Sequence, residues 1–142
     1  MPKRNAVLVD TGPLVAVFSR GDEFHSIAVD TLKSLRAPLL TVWPVITEAM
    51  HLLSFSDQAQ EGLWQFLLAQ TLLVVPLEAV DMPRMQELMH RYRDHEIDLA
   101  DAALVRVAER EKISTIFTID QRDFRLYRPM HVSAFHLLPK RL

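Results

Sequence analysis

The chain has 142 residues and a mass of 16.3 kDa, with 49% hydrophobic residues, 24% charged residues and a formal charge of −2. That balance fits one soluble domain with a sizeable core and excludes disordered, collagen-like and prion-like chains. The absence of cysteine excludes disulfide scaffolds, thiol nucleophiles and iron–sulfur clusters, so any metal must sit on oxygen or imidazole ligands; a near-neutral charge leaves nucleic-acid binding to a local patch or to a metal.

The N-terminus offers four apolar residues, Ala6 to Val9, before Asp10, too few for a secretory signal, and no apolar run approaches the ~18–20 residues of a membrane span. A cytoplasmic protein with no membrane contact is the expectation. Ala6–Val9 reads as a buried strand, broken by Thr11-Gly12-Pro13, with Pro13 opening a short helix to Phe18. Helical spacing runs from Phe24 to Leu35, then a second strand at Leu39–Val42 and a helix started by Pro44. Asp57–Ala69 predicts another helix, Leu72–Val75 a third strand, and Pro83–Tyr92 and Leu99–Glu111 two further helices. Ile113–Ile119 reads as a fourth strand and Val132–Leu138 as an edge strand. Buried strands alternating with amphipathic helices predict an α/β sandwich with a mostly parallel sheet, formed as one domain over residues 1–142. Ligands of such sheets bind beyond the carboxyl ends of the strands, so the residues just past each strand are the first candidates for chemistry.

Acids stand there. Asp10 ends the first strand and Asp120 sits just past the fourth, where a carboxylate is costly unless something uses it. Helix capping is the alternative use. Glu48 lies among small and apolar neighbours less than two helical turns after the second strand, either at the surface or turned back to the same sheet edge. Asp98 and Asp101 share one helical face, with capping and first-turn placement again the alternative. Carboxylates converging at one point cannot all stay ionised without a counter-charge, and Mg²⁺ or Mn²⁺ on oxygen ligands supplies it. Two such ions ~3.5–4 Å apart clamp both oxygens of an in-line phosphoryl displacement. The residues therefore suggest an acid-lined, metal-dependent phosphodiesterase.

Leu8-Val9-Asp10-Thr11-Gly12-Pro13-Leu14, Thr47-Glu48 with the apolar stretch to Leu53, Leu99-Ala100-Asp101-Ala102, and Thr118-Ile119-Asp120 with Phe124 stand in this order. At these residues the chain resembles the PIN-domain family, and within it the VapC-type toxin ribonucleases of toxin–antitoxin pairs. The resemblance implies a PIN-like three-layer α/β/α sandwich and a metal site lined by Asp10, Glu48, Asp101 and Asp120. It makes Asp98 an accessory acid, and Thr11 and Thr118 hydroxyl donors to a carboxylate, a water or the scissile phosphate. It implies RNA as substrate, cut by metal-activated water to leave a 5′-phosphate and a 3′-hydroxyl, a cognate antitoxin as inhibitor, and a homodimer. Asp123 duplicates the acidity of the fourth motif and reads as a cap or a solvated residue.

Arg122, Arg125 and Arg128, spaced by three, read either as a solvated face or as a patch for substrate phosphates. Phe55, Trp64, Leu68, Met82, Met85 and Met89 read as core, with some of them at a dimer or antitoxin surface. The six histidines form no ligand spacing. Two other functions compete. A phosphoaspartyl phosphatase would want a second acid where Gly12 stands, and a receiver-like domain an Asp after the third strand, which continues Val75-Pro76-Leu77-Glu78. A non-catalytic PIN-like scaffold would not need the full acid set.

Overall fold

Three-residue strands suffice here because the central ones are buried, so that burial rather than length holds the sheet. In a computed structural model, which describes residues 5–142, the strands are β1 (Val7–Val9), β2 (Leu39–Thr41), β3 (Leu72–Val74), β4 (Thr115–Phe117) and β5 (His136–Leu138). They form one all-parallel sheet in the order β3-β2-β1-β4-β5. The helices are α1 (Thr11–Phe18), α2 (His25–Ser34), α3 (Trp43–Leu52), α4 (Asp57–Leu68), α5 (Met82–Arg91), α6 (Leu99–Glu111) and α7 (Gln121–Leu126). Short 3-10 turns precede and follow α5, at Ala79–Asp81 and Arg93–His95. The expected α/β sandwich is thus observed. The N-terminal segment read for the no-signal expectation includes residues 1–4, which lie outside the described residues.

β1 lies at the centre, paired with β2 on one side and β4 on the other. Chain direction across the sheet reverses there, so the crevice beyond β1 and β4 is the topological switch point. Hydrogen bonds carry the order past the strands: Asp10 N donates to Phe117 O at 2.9 Å, and the Thr41 side chain donates from Oγ1 to Val9 O at 2.8 Å.

α1 packs on α2, α3 and α4, while α6 packs on α5 and α3. Two glycines permit the closest of these approaches. A Cβ at Gly12 would stand 3.1 Å from Ile119 Cβ, and one at Gly62 would stand 2.7 Å from Phe18 Cδ1. α6 is the most buried helix because Ala100, Ala102, Ala103 and Ala108 let neighbours close on it beside Leu104, Val105 and Val107. Its far end is tied by ions. Glu109 takes a bidentate pair from Arg84 of α5 at 2.9 and 2.8 Å and a bond from Met130 N at 2.8 Å. Asp81 accepts from Arg106 Nε at 2.7 Å and from Arg110 Nη1.

Sequence and structure differ at the fourth strand, which begins at Thr115 and ends at Phe117, and at the last, which begins at His136. The sequence reading has no helix at α7, whose six residues include three charges and an amide and show no full apolar period. Of the apolar residues singled out above, Phe55, Trp64, Leu68 and Met82 are exposed, while Met85 and Met89 pack partly on the core.

Candidate active site

The chain turns into a helix immediately after β1, β2 and β4, and each turn brings an acid to the same crevice. A cleft of about 1010 Å³ lies there, lined by Asp10, Thr11, Glu48, Asp98, Asp101 and Asp120 among others. All five acids singled out from the sequence therefore meet in one place. Asp22, Asp94, Glu96 and Asp123 extend the acidic lining, against Arg122 and His95 as the basic side chains of the wall.

Capping accounts for these acids only in part. Asp10 occupies the N-cap position of α1 and Asp120 that of α7, and neither side chain makes a well-formed capping bond, although the N–H of Thr11 acts on the Asp10 carboxyl and that of Asp123 on the Asp120 carboxyl. Asp10 is 6% exposed and takes a bond from Thr118 Oγ1 to Oδ2 at 2.8 Å. The same hydroxyl oxygen accepts from Asp120 N at 3.0 Å, so Thr118, itself fully buried, locks the two sheet-end acids together. Asp98 does cap α6, accepting from Asp101 N at 2.9 Å, and still faces the cleft. Glu48 is half-buried on α3 and turned to the cleft rather than to open surface.

Asp101 accepts a 2.6 Å bond at Oδ2 from the phenol of Tyr127, a residue the sequence reading did not reach. Tyr127 ends α7, so the signal for it, an apolar residue three after Phe124, becomes visible only once that short helix is placed. Thr11 Oγ1 is buried without a hydrogen-bond partner beside Asp10. Arg122 reaches the cleft wall. Arg125 and Arg128 do not line it: Arg125 donates to Gln121 Oε1 at 3.3 Å, and Arg128 donates to the carbonyls of Arg125 and Tyr127.

The electrostatics are those of acids held together against their charge. Burial raises Asp10 from the usual 3.8 to about 6; bonds from Thr11 N and Thr118 oppose the rise, and the charges of Asp98 and Glu48 add to it. Burial raises Asp101 to about 8, with the charge of Asp10 next in importance. Asp120 rises to about 6 through burial and its neighbour Asp123. The Tyr127 phenol is pushed well above its usual range by burial and by Asp101, so it stays a donor.

This donor set suits a hard divalent cation: it is all carboxylate and hydroxyl oxygen, it is short of positive charge, and it includes an orphaned buried hydroxyl at Thr11. Among the described residues, no three His, Asp or Glu side chains already stand in ligating geometry around one point. Asp98 is engaged by the α6 backbone and Asp101 by Tyr127.

Comparison with known proteins gives a consistent picture. The family model described as PIN domain matches residues 7–128. Ribonuclease VapC26 of Mycobacterium tuberculosis is 25% identical over 135 residues, covering 94% of this chain and 100% of the relative. Among solved structures, VapC20 of M. tuberculosis, a sarcin–ricin loop cleaving toxin, superposes with a TM-score of 0.71 at 21% identity, over 78% of this chain and 86% of that one. VapBC2 from Rickettsia felis, bound to a DNA fragment from its promoter, gives a TM-score of 0.61 at 17% identity, over 93% and 98% of the two chains. The last two are likenesses of fold.

Proposed function

The chain belongs to the PIN-domain family, and from that premise we propose that it is a metal-dependent endoribonuclease of the VapC type, the toxin of a toxin–antitoxin pair. The observation that carries the reading is the meeting of Asp10, Glu48, Asp101 and Asp120 in one cleft at the sheet's switch point, with three of their pKa values raised. The relative named Ribonuclease VapC26 supports the substrate class, and the complex named VapBC2 supports a cognate antitoxin.

In this reading Asp10, Glu48, Asp101 and Asp120 hold Mg²⁺ or Mn²⁺, with Asp98 as an accessory acid. One or two such ions, when bound, supply the positive charge that lowers the pKa of an attacking water and neutralises the departing oxygen. The protein's own residues do the rest. Thr118 keeps Asp10 and Asp120 in register. Thr11 Oγ1, free of other partners, and Arg122 on the wall orient the scissile phosphate. Hydrolysis adds water oxygen to phosphorus and releases the ribose 3′-oxygen as a hydroxyl, leaving a 5′-phosphate. The inhibitor is a protein segment carrying Arg, whose guanidinium matches the cleft's carboxylates bidentately. The toxin acts in the cytoplasm as a homodimer of single-domain chains; no helix among the described residues is long and apolar enough to cross a membrane.

The test is cleavage of an RNA panel by wild type and Asp10→Asn, each with Mg²⁺ and with EDTA. Cleavage by wild type with Mg²⁺ alone is the expected result. Equal cleavage by both proteins, or cleavage that survives EDTA, refutes the metal reading. Growth arrest on expression, relieved by the product of the adjacent upstream gene and absent for Asp10→Asn, is the expected cellular counterpart.

A further inference from the structure

A phenol buried at 0% exposure, whose hydroxyl leaves the core to bond a carboxylate of the cleft, calls for a role. The Tyr127 ring is clamped edge-on by Tyr92 at 5.1 Å and by Phe124 at 5.2 Å between centroids. The backbone beside it is fixed as well, since Arg128 N donates to Tyr92 Oη at 2.9 Å. The phenol hydroxyl therefore stands at a point set by three elements: the end of α5 through Tyr92, α7 through Phe124, and the Tyr127–Arg128 segment. Asp101, by contrast, sits in the first turn of α6 with two rotatable side-chain bonds, half-exposed at the edge of the cleft. Left alone, its carboxylate would share its time between the cleft and the free N–H groups of its own helix start. The 2.6 Å bond to Oδ2 removes that choice and leaves Oδ1 free of Tyr127.

We propose that Tyr127 is a positioning residue of the cleft: its buried phenol holds the Asp101 carboxylate in the orientation in which it serves as a cation ligand. The inference rests on the metal-dependent reading of the same cleft. Tyr127 touches neither substrate nor ion; it acts through Asp101. A second-layer partner of this kind is worth tenfold to a hundredfold in metal affinity.

The experiment is Mn²⁺ titration of the full chain, followed by the electron paramagnetic resonance signal of free Mn²⁺. The variants are wild type, Tyr127→Phe, Asp101→Asn and the double variant Tyr127→Phe/Asp101→Asn. Phenylalanine keeps the ring packing at position 127 and removes only the hydroxyl that bonds Asp101. The expected result is a Kd about tenfold or more higher for Tyr127→Phe, and no further loss when Tyr127→Phe is added to Asp101→Asn. A purely structural role lowers the melting temperature of Tyr127→Phe and leaves its Kd unmoved. Wild-type affinity in Tyr127→Phe, beside weakened binding in Asp101→Asn, overturns the proposal and leaves the metal reading standing. Full additivity in the double variant overturns it too, because Tyr127 would then act by another route. No Mn²⁺ binding by wild type refutes the metal reading itself and the proposal with it.

Discussion

Replacing Asp10 by Asn separates the cost of the acid cluster from its use. In the folded protein the Asp10 carboxyl is raised from 3.8 to about 6, first by burial. A raised carboxyl favours the fold when protonated, so its stabilising state is complete below about pH 4 and is lost as pH rises through about 6. At pH 8 in EDTA the ionised Asp10 thus costs up to about 3 kcal/mol, at about 1.4 kcal/mol for each pH unit of the rise. Asparagine removes that cost but sets an amide where Thr118 Oγ1 now donates, returning about 1–2 kcal/mol. The net gain is about 1–2 kcal/mol, or roughly 3–6 °C in Tm for a domain of this size. Melting curves of wild type and Asp10→Asn in EDTA, from pH 4.5 to pH 8, measure the difference directly. Near pH 5 the two should cross, and below it the variant should be the less stable, because the ionisation cost is gone and only the weakened Thr118 bond remains. Acid loss at Asp81, lowered by the Glu78 backbone N–H and its arginines, and at Glu109, lowered by Arg84 and the Met130 backbone N–H, affects both proteins alike and cancels. With Mg²⁺ at pH 8 the order should reverse, since only wild type gains from the ion. A Tm difference that does not vary with pH, or a less stable variant at pH 8 in EDTA, would refute the account of a self-repelling cluster.

Mg²⁺ or Mn²⁺ should raise the wild-type Tm reversibly, by the equivalent of about 2.7 kcal/mol at a hundredfold excess over Kd, whereas Asp10→Asn shifts little; calorimetry with and without chelator checks both. Glu109→Gln should cost about 3 kcal/mol, because the buried Arg84 guanidinium loses its buried counter-charge and keeps only the exposed Glu87; denaturant unfolding reads the loss, and Mn²⁺ affinity should be unchanged. Gly62→Ala places a Cβ 2.7 Å from Phe18 Cδ1 and should cost about 1–3 kcal/mol. Its Tm should fall while RNA cleavage below that temperature persists.

The strand-end acids were legible because a charge is rare at the end of a buried parallel strand, and Asp10 and Asp120 each come after an apolar run. The Ala-rich α6 was legible to the residue, from Leu99 to Glu111. What sequence could not decide was direction. Glu48 and Asp98 each had a bland alternative that only side-chain placement resolves, and Asp98 turns out to cap its helix and face the cleft at once. α7 escaped because six residues with three charges leave no apolar period to read, and Tyr127 escaped with it. Of the arginine triplet, only Arg122 lines the cleft. Spacing of three holds one face only while the helix lasts, and α7 ends at Leu126, before Arg128.

The acids whose pKa values the fold displaces fall into two populations, and the division itself supports the proposed site. Asp81 and Glu109 are buried, each meets arginine, and each is held below the usual carboxylate range. Asp10, Asp101 and Asp120 are raised instead, and among the described residues none of the ion pairs includes them. Desolvation acts on both sets; the difference lies in what the fold supplies against it. For the first set it supplies guanidinium groups from α5 and α6. For the second it supplies only hydroxyl and backbone donors, which orient a carboxylate without neutralising it: Thr118 and Thr11 N for Asp10, Tyr127 for Asp101. One helix carries both solutions, with Glu109, Arg106 and Arg110 toward its C-terminus and Asp101 in its first turn. A chain that pairs buried acids with guanidinium at one end of α6, and leaves them oriented but without a counter-charge at the other, supports the reading proposed above, in which a cation from outside completes that second end.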